Sequence, residues 1–285
     1  MSDLVSVIIS AYNHEKYVQE TIQSIIDQTY QNIELLIIDD GSPDDTLEKI
    51  IDMKEKCKKR FTNVVIQAQE NQGTCLSFNR LISQAKGEYI FILASDDKAA
   101  PEAIETLHKF LSKNPEYALA VGENHFIDFE SKPCYWDEAR NIVYNKEEAQ
   151  YLSFTDFLMA IRRGNVDFLT DEFGTYESLL KGNYIPNGYL IRKSIFEKTG
   201  YYTPKAPLED YYLMLQISKY AKMKYLPKPL FYYRWHDNNT ASQIAKMIEL
   251  TRVTLLYEIS QLTKYTDPNI QRTLLAFIST ILPIK

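Results

Sequence analysis

The sequence has few cysteines and no excess of positive charge, and these shortages argue against several classes of protein. Its three cysteines form no Cys-x-x-Cys pair, which argues against a disulfide framework or a zinc site. A formal net charge of −6 provides no basic footprint for nucleic acid. We therefore expect reduced thiols in a cytoplasmic protein that does not bind nucleic acid.

The sequence also lacks the apolar segments that export proteins or anchor them in membranes. Its first ten residues, MSDLVSVIIS, have no basic start and no long apolar core, which argues against a signal peptide. No run approaches the roughly 18 apolar residues of a membrane-spanning helix. The longest candidate, 274–284, is interrupted by Ser279, Thr280 and Pro283. We expect no membrane span.

Short apolar runs alternate with helical patterns over the first 115 residues. Buried strands are predicted at 4–9, 34–38, 64–66 and 88–93, and helices over 14–28, from an N-cap at Ser42, over 78–85 and from Pro101. This alternation predicts an α/β fold with a mostly parallel sheet covered by helices on both faces. Ligands of such sheets bind at the carboxyl ends of the strands, near the point where strand order reverses.

The second half of the chain is less regular. Strands are predicted at 118–121, 190–191 and 230–235, and helices at 154–161, 195–196 and 210–220. Residues 162–186 read as a long, partly mobile loop, and two helices separated at 267–268 follow Ser242. We expect a domain over 1–241, divided into halves 1–115 and 116–241, and a C-terminal helical segment over 242–285.

Acidic pairs follow two of the predicted strands. Asp96 and Asp97 could hold Mg²⁺ or Mn²⁺ at the sheet edge, or they could cap a helix before Pro101. Asp40, with Tyr12 after the first strand, could accept hydrogen bonds from a nucleobase or ribose. Turn chemistry in Asp-Gly-Ser explains Asp40 equally well.

Two further groups of polar residues lie in the second half. Glu209 and Asp210 open a helix, where a carboxylate could be a general base or could only complement the helix dipole. Arg234 and His236 precede a run of amides and hydroxyls that suits phosphate binding. His236 could also be a metal ligand or a structural histidine.

These residues, in this order, resemble family 2 of the glycosyltransferases, which are inverting enzymes with the GT-A fold. The resemblance runs from Val5 to about Ser242. It rests on these motifs: Val-Ser-Val-Ile-Ile-Ser-Ala-Tyr-Asn (5–13), Tyr17-Val18, Gln28-Thr29-Tyr30, Ile37-Ile-Asp-Asp-Gly-Ser42, Asn71-x-Gly73, Ala85-x-Gly87-Glu-Tyr-Ile90, Asp96-Asp97, Glu209-Asp210 and Tyr233-Arg-x-His236.

The resemblance implies a role for each matching position. It implies a nucleotide-binding half over 1–115, an acceptor half over 116–241, and Mn²⁺ or Mg²⁺ as cofactor. Asp210 matches the catalytic base, with Glu209 beside it. The implied nucleotide-binding residues are Ser10, Ala11, Tyr12, Asn13, Asp40, Asn71 and Asp96; Asp97 and His236 are implied as metal ligands, and Arg234 and His236 as diphosphate contacts.

The function implied is inverting transfer of a sugar from a nucleoside diphosphate, typically UDP, to an acceptor hydroxyl. The acceptor would be a glycan or a lipid-linked saccharide in bacterial-type surface polysaccharide synthesis. One rival is a sugar nucleotidyltransferase, although residues 10–14 are neither glycine-rich nor basic. The other rival is a non-catalytic protein that binds sugar nucleotides.

Two departures and one open question accompany the resemblance. Ala94 stands where many relatives have the first acid of the metal motif, and Phe78 precedes Asn79 where relatives often have arginine, which leaves Arg80 as a substitute. The apolar residues of 273–284 would suit contact with the inner membrane face. Packing against the catalytic domain, or against a second subunit in a homodimer, is the alternative.

Overall fold

The computed structural model describes residues 2–161, 166–237 and 239–281. The first half alternates strands and helices: β1 (Val5–Ala11), α1 (Val18–Ile26), β2 (Ile33–Asp39), α2 (Thr46–Asp52), α3 (Lys54–Arg60), β3 (Asn63–Ala68), α4 (Thr74–Gln84), β4 (Tyr89–Ile92), β5 (Lys98–Ala99) and α5 (Ala103–Lys113). The second half adds β6 (Tyr117–Ile127), β7 (Tyr135–Trp136), β8 (Ile142–Val143), α6 (Phe154–Ile161), α7 (Tyr176–Leu180), β9 (Tyr189–Arg192), α8 (Phe196–Thr199), α9 (Glu209–Ile217), β10 (Lys222–Arg234), α10 (Ile244–Ser260) and α11 (Pro268–Ile281).

Eight strands form one sheet in the order β3-β2-β1-β4-β9-β6-β10-β5. All neighbours pair in parallel except β9, which is antiparallel to β4 and β6, and β5, which is antiparallel to β10. Strand order reverses at β1, which lies between β2 and β4. The prediction of a mostly parallel α/β sheet is therefore confirmed.

The sheet is covered on both faces, as the continuous apolar strands predict. Val7 and Ile9 of β1 belong to the core on one face, and Ile8 between them belongs to the core on the other. Opposite faces follow from the two-residue period of a strand. The two predicted halves of the domain share this sheet, because β9 of the second half pairs with β4 of the first.

Two strands of the second half are longer than predicted. β6 reaches Tyr117–Ile127 and β10 reaches Lys222–Arg234. The ladder between them shifts register on both sides of Pro229. Proline interrupts the ladder because it has no N–H to donate, so the prolines of β10 concealed a continuous strand.

Two local predictions are wrong. Ser42 does not cap a helix: α2 begins at Thr46, and the Ser42 hydroxyl donates instead to Asp39 Oδ1 at 2.5 Å. The segment 162–186 is not simply a loop, because it contains α7 and buries Phe168 and Phe173. Residues 162–165 of that segment lie outside the described part of the chain.

The predicted C-terminal helices are present as α10 and α11. Ile270 and Leu274 of α11 are buried, whereas Leu275 and Ile281 are exposed. The last three residues of the predicted apolar segment, 282–284, lie outside the described residues. None of the described helices is long and apolar enough to cross a membrane.

Buried charge fixes α10 against the catalytic domain. The Glu258 carboxylate accepts hydrogen bonds from four side chains: Lys219 Nζ at 2.7 Å, Tyr176 Oη at 2.5 Å, Gln216 Nε2 at 2.9 Å and Tyr265 Oη at 2.9 Å. Both charged side chains of the Lys219–Glu258 pair are fully buried. Such a pair tolerates the loss of neither partner, because the survivor would be an unpaired buried charge.

Candidate active site

The site lies at the carboxyl edge of the sheet, where the segments after β1, β2, β4 and β10 meet. The turn after β2 is closed by Asp39, whose Oδ2 accepts the Ser42 N–H at 3.1 Å. Gly41 has a φ of +73°, and a Cβ there would come within 2.7 Å of the Asn71 backbone nitrogen. The hydrogen bond of Asp39 and the positive φ of Gly41 therefore account for the turn. The Asp40 carboxylate is not needed to form it.

Asp40 holds the loop that precedes α4. Its Oδ1 accepts hydrogen bonds from Gln69 Nε2 at 2.7 Å and from the Gln72 N–H at 2.9 Å. Its Oδ2 accepts one from the Gly73 N–H at 2.9 Å. Asp40 is only 3% exposed, so its first role in the fold is to bind this loop beside the end of β2.

The other residues predicted to bind nucleotide line the open side of the same edge. Tyr12 is 47% exposed and presents its ring to solvent. Asn13 adopts a positive φ of 58°, and its N–H donates to Ser42 Oγ at 3.0 Å. Asn71 is exposed, Ser10 is half-buried, and Ala11 is buried at the end of β1. The structure thus gathers these five positions around the loop that Asp40 binds.

Asp96 lies below this edge between two histidines. Its Oδ2 is 3.0 Å from His236 Nε2 and 3.7 Å from His14 Nε2. Burial raises the pKa of Asp96, whereas the His236 hydrogen bond and the charges of both histidines lower it. The lowering effects are larger together, so the pKa of Asp96 lies below its usual range. Asp96 is therefore the ionised member of the acidic pair.

Asp97 has a different environment. Burial and the neighbouring Asp96 charge hold the pKa of Asp97 well above its usual range. Its Oδ1 accepts the backbone N–H of Arg234 at 2.9 Å, which joins the end of β4 to the end of β10. Neither acid caps α5, which begins at Ala103 with Glu102 before it.

Arg234 lies beneath the site instead of in it. Arg234 is 0% exposed, and its guanidinium nitrogens donate hydrogen bonds to protein acceptors. These are Asp96 O at 2.7 Å, Asp128 O at 3.2 Å, Ser131 Oγ at 2.6 Å and Glu20 Oε2 at 2.6 Å. These four hydrogen bonds favour a positioning role for the guanidinium, and its predicted contact with a diphosphate stays a prediction.

Glu209 and Asp210 begin α9, as predicted. Asp210 Oδ1 accepts the Tyr211 N–H at 2.6 Å, and Oδ2 accepts Asn183 Nδ2 at 3.3 Å. Burial and then the Asp210 charge raise the pKa of Glu209 to about 7. Burial also raises the pKa of Asp210. A carboxyl pair with raised pKa values is suited to proton transfer near neutral pH.

The carboxylates at the end of β4 and at the start of α9 affect the pKa values of common neighbours. Burial raises the pKa of Tyr233 most, and the charges of Asp97, Asp96 and Asp210 raise it further. Burial and the Glu209 charge likewise raise the pKa of Cys75, on the first turn of α4, to about 12. The start of α9 is therefore near both the acidic pair and the helix that follows the Asp40 loop.

Sequence reasoning missed His14 as a site residue. It was assigned only to the beginning of a helix, whereas α1 starts at Val18 and His14 points at Asp96. Among the described residues, one group of three side chains could hold a metal ion: His14, Asp96 and His236, with ligand atoms within 4.8 Å of one another. Its two histidines are 222 positions apart in sequence (236 − 14), so no local spacing could have revealed it.

Arg80, the expected substitute for a missing arginine, donates to Gln69 Oε1 at 3.1 Å on the exposed side of α4. Asn79 instead joins α4 to the segment before α9. Its Nδ2 donates to Tyr202 O at 2.9 Å, and its Oδ1 accepts the Tyr202 N–H at 2.9 Å. Asn79 thus helps to place the segment that leads to Glu209.

The comparison with known proteins agrees with this geometry. Residues 6–169 match the model of glycosyl transferase family 2. The chain belongs to glycosyltransferase family 2. A relative described as an uncharacterized glycosyltransferase of Haemophilus influenzae is 31% identical over 266 residues, which cover 88% of this chain and 73% of that protein.

Solved structures share the fold of this glycosyltransferase. Staphylococcus aureus TarS residues 1–349 in complex with UDP-GlcNAc has a TM-score of 0.66 at 17% identity, over 97% of this chain and 72% of that one. Mannosyltransferase PcManGT of Pyrobaculum calidifontis, in complex with GDP-Man and Mn²⁺, has a TM-score of 0.61 at 14% identity, over 100% and 77%. The GT-A fold is thereby confirmed.

Proposed function

We propose that this chain transfers a sugar from a UDP-sugar to an acceptor hydroxyl with inversion at the anomeric carbon. The observation that carries the proposal is the half-buried carboxyl pair Glu209–Asp210, at the start of α9, whose charge reaches Tyr233 together with the charges of the acidic pair after β4. Carboxyl groups with raised pKa values are enriched at catalytic sites, which favours an enzyme over a binding protein without activity.

In the proposed reaction the Asp210 carboxylate accepts the proton of the acceptor hydroxyl. The acceptor oxygen forms a bond to the anomeric carbon as the bond from that carbon to the diphosphate oxygen breaks, and the electron pair leaves with UDP. No covalent enzyme intermediate forms. Asn183, which donates to Asp210 Oδ2 at 3.3 Å, orients the carboxylate for this transfer.

A divalent cation fits the donor set at the end of β4. Asp96 Oδ2 and His236 Nε2 are 3.0 Å apart, and both side chains are nearly buried. A cation held there would neutralise charge on the leaving diphosphate. The group of possible metal ligands contains Asp96 and not the predicted ligand Asp97. We therefore assign Asp96 to the metal and Asp97, which accepts the Arg234 N–H, to shaping the segment.

The nucleotide would lie across the open carboxyl edge, with its base on the exposed ring of Tyr12. Asp40 supports that face through the Gln72 and Gly73 amides, and a carboxylate has lone pairs beyond the three donors seen. A base or ribose donor can therefore still be accepted. The proposed nucleotide contacts, Tyr12 and Asp40, follow β1 and β2, whereas the proposed base Asp210 lies at the start of α9.

The acceptor, the surface polysaccharide pathway, the membrane contact and the homodimer stay predictions. Part of α11 packs on the domain through Ile270 and Leu274, which corresponds to the packing alternative for this segment. Its exposed residues, Leu275 and Ile281, still offer an apolar surface. Vesicle flotation of the full chain and of a chain ending at 265 would compare their membrane affinity.

A panel of nucleotide sugars tests the proposed donor. Each compound is added with Mn²⁺, and both the Tm and hydrolysis of the sugar nucleotide are measured. A ligand at 100 times its Kd stabilises the folded state by about 2.7 kcal/mol, so binding raises the Tm. We expect UDP and one UDP-sugar to stabilise the protein. Stabilisation by GDP or CMP compounds with none by UDP would contradict the donor class.

A further inference from the structure

The cluster His14, Asp96 and His236 joins three segments that are distant in sequence. His14 follows β1, Asp96 follows β4 and His236 follows β10, and the ligand atoms of all three lie within 4.8 Å of one another. Two imidazoles and one carboxylate therefore converge at the same end of the sheet as the proposed diphosphate site.

The separations in the cluster are compatible with three ligands of one shared ion. A hydrogen bond explains the 3.0 Å from Asp96 Oδ2 to His236 Nε2, but not the 3.7 Å from Asp96 Oδ2 to His14 Nε2. Two ligands that are each about 2.1 Å from one cation lie about 3.0–3.5 Å apart. The observed pair of distances is close to this range, and small side-chain shifts complete the fit.

His14 is oriented as a metal-binding histidine would be. Its Nδ1 is 2.8 Å from Ser95 Oγ, and its backbone N–H donates to Thr46 Oγ1 at 2.8 Å. Metal-binding histidines commonly use the second ring nitrogen in such a hydrogen bond, which fixes the ring. The Tyr17 ring also packs edge-on to His14, with 6.2 Å between ring centroids.

We propose that His14 is the third protein ligand of the divalent cation, and that the cation is a first-row transition ion such as Mn²⁺ in preference to Mg²⁺. This inference rests on the proposed function, which places a diphosphate beside the cluster. Mg²⁺ is a hard ion that prefers oxygen ligands in near-ideal octahedral geometry. Imidazole nitrogen suits transition ions, so a site with two imidazoles favours them.

Mn²⁺ titration, monitored by the electron paramagnetic resonance signal of the free ion, tests this without any assay of activity. The variants are His14→Asn and His125→Asn. Asparagine keeps a polar atom near the position of Nδ1, facing Ser95, and removes Nε2. His125 is a half-exposed histidine near Glu123 and lies outside the cluster, so it is the matched control. Each protein is titrated with and without UDP, and its Tm is recorded.

We expect one bound Mn²⁺ in the wild-type protein and in His125→Asn. His14→Asn should weaken Mn²⁺ binding by at least the roughly 10–100-fold that loss of a supporting residue causes. Mg²⁺ at about ten times the Mn²⁺ concentration should leave Mn²⁺ bound, because it lacks the preference for imidazole. His14→Gln is the second variant if His14→Asn does not fold.

Equal Mn²⁺ affinity in the wild-type protein and in folded His14→Asn would overturn the role of His14. Failure of the wild-type protein to bind Mn²⁺, while it binds UDP in EDTA, would show that the cluster is only a hydrogen-bonded group. Displacement of Mn²⁺ by an equal concentration of Mg²⁺ would overturn the ion preference. Absence of UDP binding under every condition would count against the proposed function and not against the ligand set.

Discussion

The hydroxyl of Thr254 on α10 accepts a hydrogen bond from the backbone N–H of Leu208 at 3.0 Å, and both residues are buried. Leu208 directly precedes Glu209 and Asp210. The C-terminal helix therefore holds the start of the helix that carries the proposed base. This contact makes α10 a support of the proposed site, although α10 lies outside residues 6–169 that match the family model.

Thr254→Val should lower transfer while UDP affinity is kept. Valine fills the space but leaves the buried Leu208 N–H without an acceptor, at a cost of about 1–3 kcal/mol. If displacement of Asp210 adds about half of that free energy to the activation barrier of transfer, kcat should fall several-fold. The KM for donor should change little. Thr254→Ser should restore kcat.

Thr251→Val is the matched control, because the Thr251 hydroxyl donates to Met247 O within the same helix, α10, at 2.8 Å. Kinetics and Tm of all three variants make the comparison. An equal loss of kcat in Thr251→Val would show a general effect on the helix.

The pH dependence of kcat should show an acidic limb that lies above the ordinary pKa range of an aspartate, because burial raises the pKa of the proposed base Asp210. Burial and then the Asp210 charge raise the pKa of Glu209 to about 7, and burial raises that of Asp210. Since the base must be deprotonated, kcat should rise with pH through this region. Glu209→Gln should leave the limb in place, because burial and not the Glu209 charge raises the pKa of Asp210.

The same shift has a consequence for stability. The folded chain binds more protons than the unfolded chain between the ordinary pKa of 4.5 and about 7 for Glu209. Stability should therefore fall as pH rises through this window, and Glu209→Gln should raise the Tm at pH 8. A Tm at pH 8 that is unchanged in Glu209→Gln would contradict the raised pKa of Glu209.

Tyr12→Ala should weaken UDP binding without loss of stability. Stacking of a base on an aromatic ring contributes about 1–3 kcal/mol, so affinity should fall by about 10-fold or more. Tyr220→Ala is a suitable control, because Tyr220 is 48% exposed against 47% for Tyr12 and lies past the opposite end of α9. Calorimetry with UDP measures both. Equal affinities in the two variants would remove Tyr12 from the site.

Glu258→Gln should destabilise the protein strongly. It would leave the buried Lys219 ammonium unpaired, and loss of one partner of a buried pair costs about 3–5 kcal/mol. Glu249→Gln on the same helix breaks an exposed pair with Arg252 and should change little. Urea unfolding of both variants gives the comparison. Similar midpoints would show that the Glu258 network does not anchor α10.

The regular part of this molecule could be predicted from its sequence, because strands β1, β2, β3 and β4 are continuous apolar runs with helical periods between them. The start of α9 at Glu209 was predicted from the acidic pair Glu209–Asp210, which complements the dipole of a helix at its first turn. The burial of Arg234 could not be predicted, since it depends on acceptors from Glu20 and Asp128 in other segments. His14 was missed because its partner in the cluster, Asp96, is brought to it only by the pairing of β1 with β4.

The central claim is that Asp210 is the base of a sugar transfer reaction. Asp210→Asn keeps the size and polarity of the side chain and removes the proton acceptor. The measurement is transfer from the UDP-sugar that the panel identifies, with UDP affinity and Tm determined on the same preparation. We predict a fall in transfer of about 10²–10⁴-fold with UDP affinity unchanged. Near-normal transfer by folded Asp210→Asn would contradict the account, and Glu209 would become the candidate base.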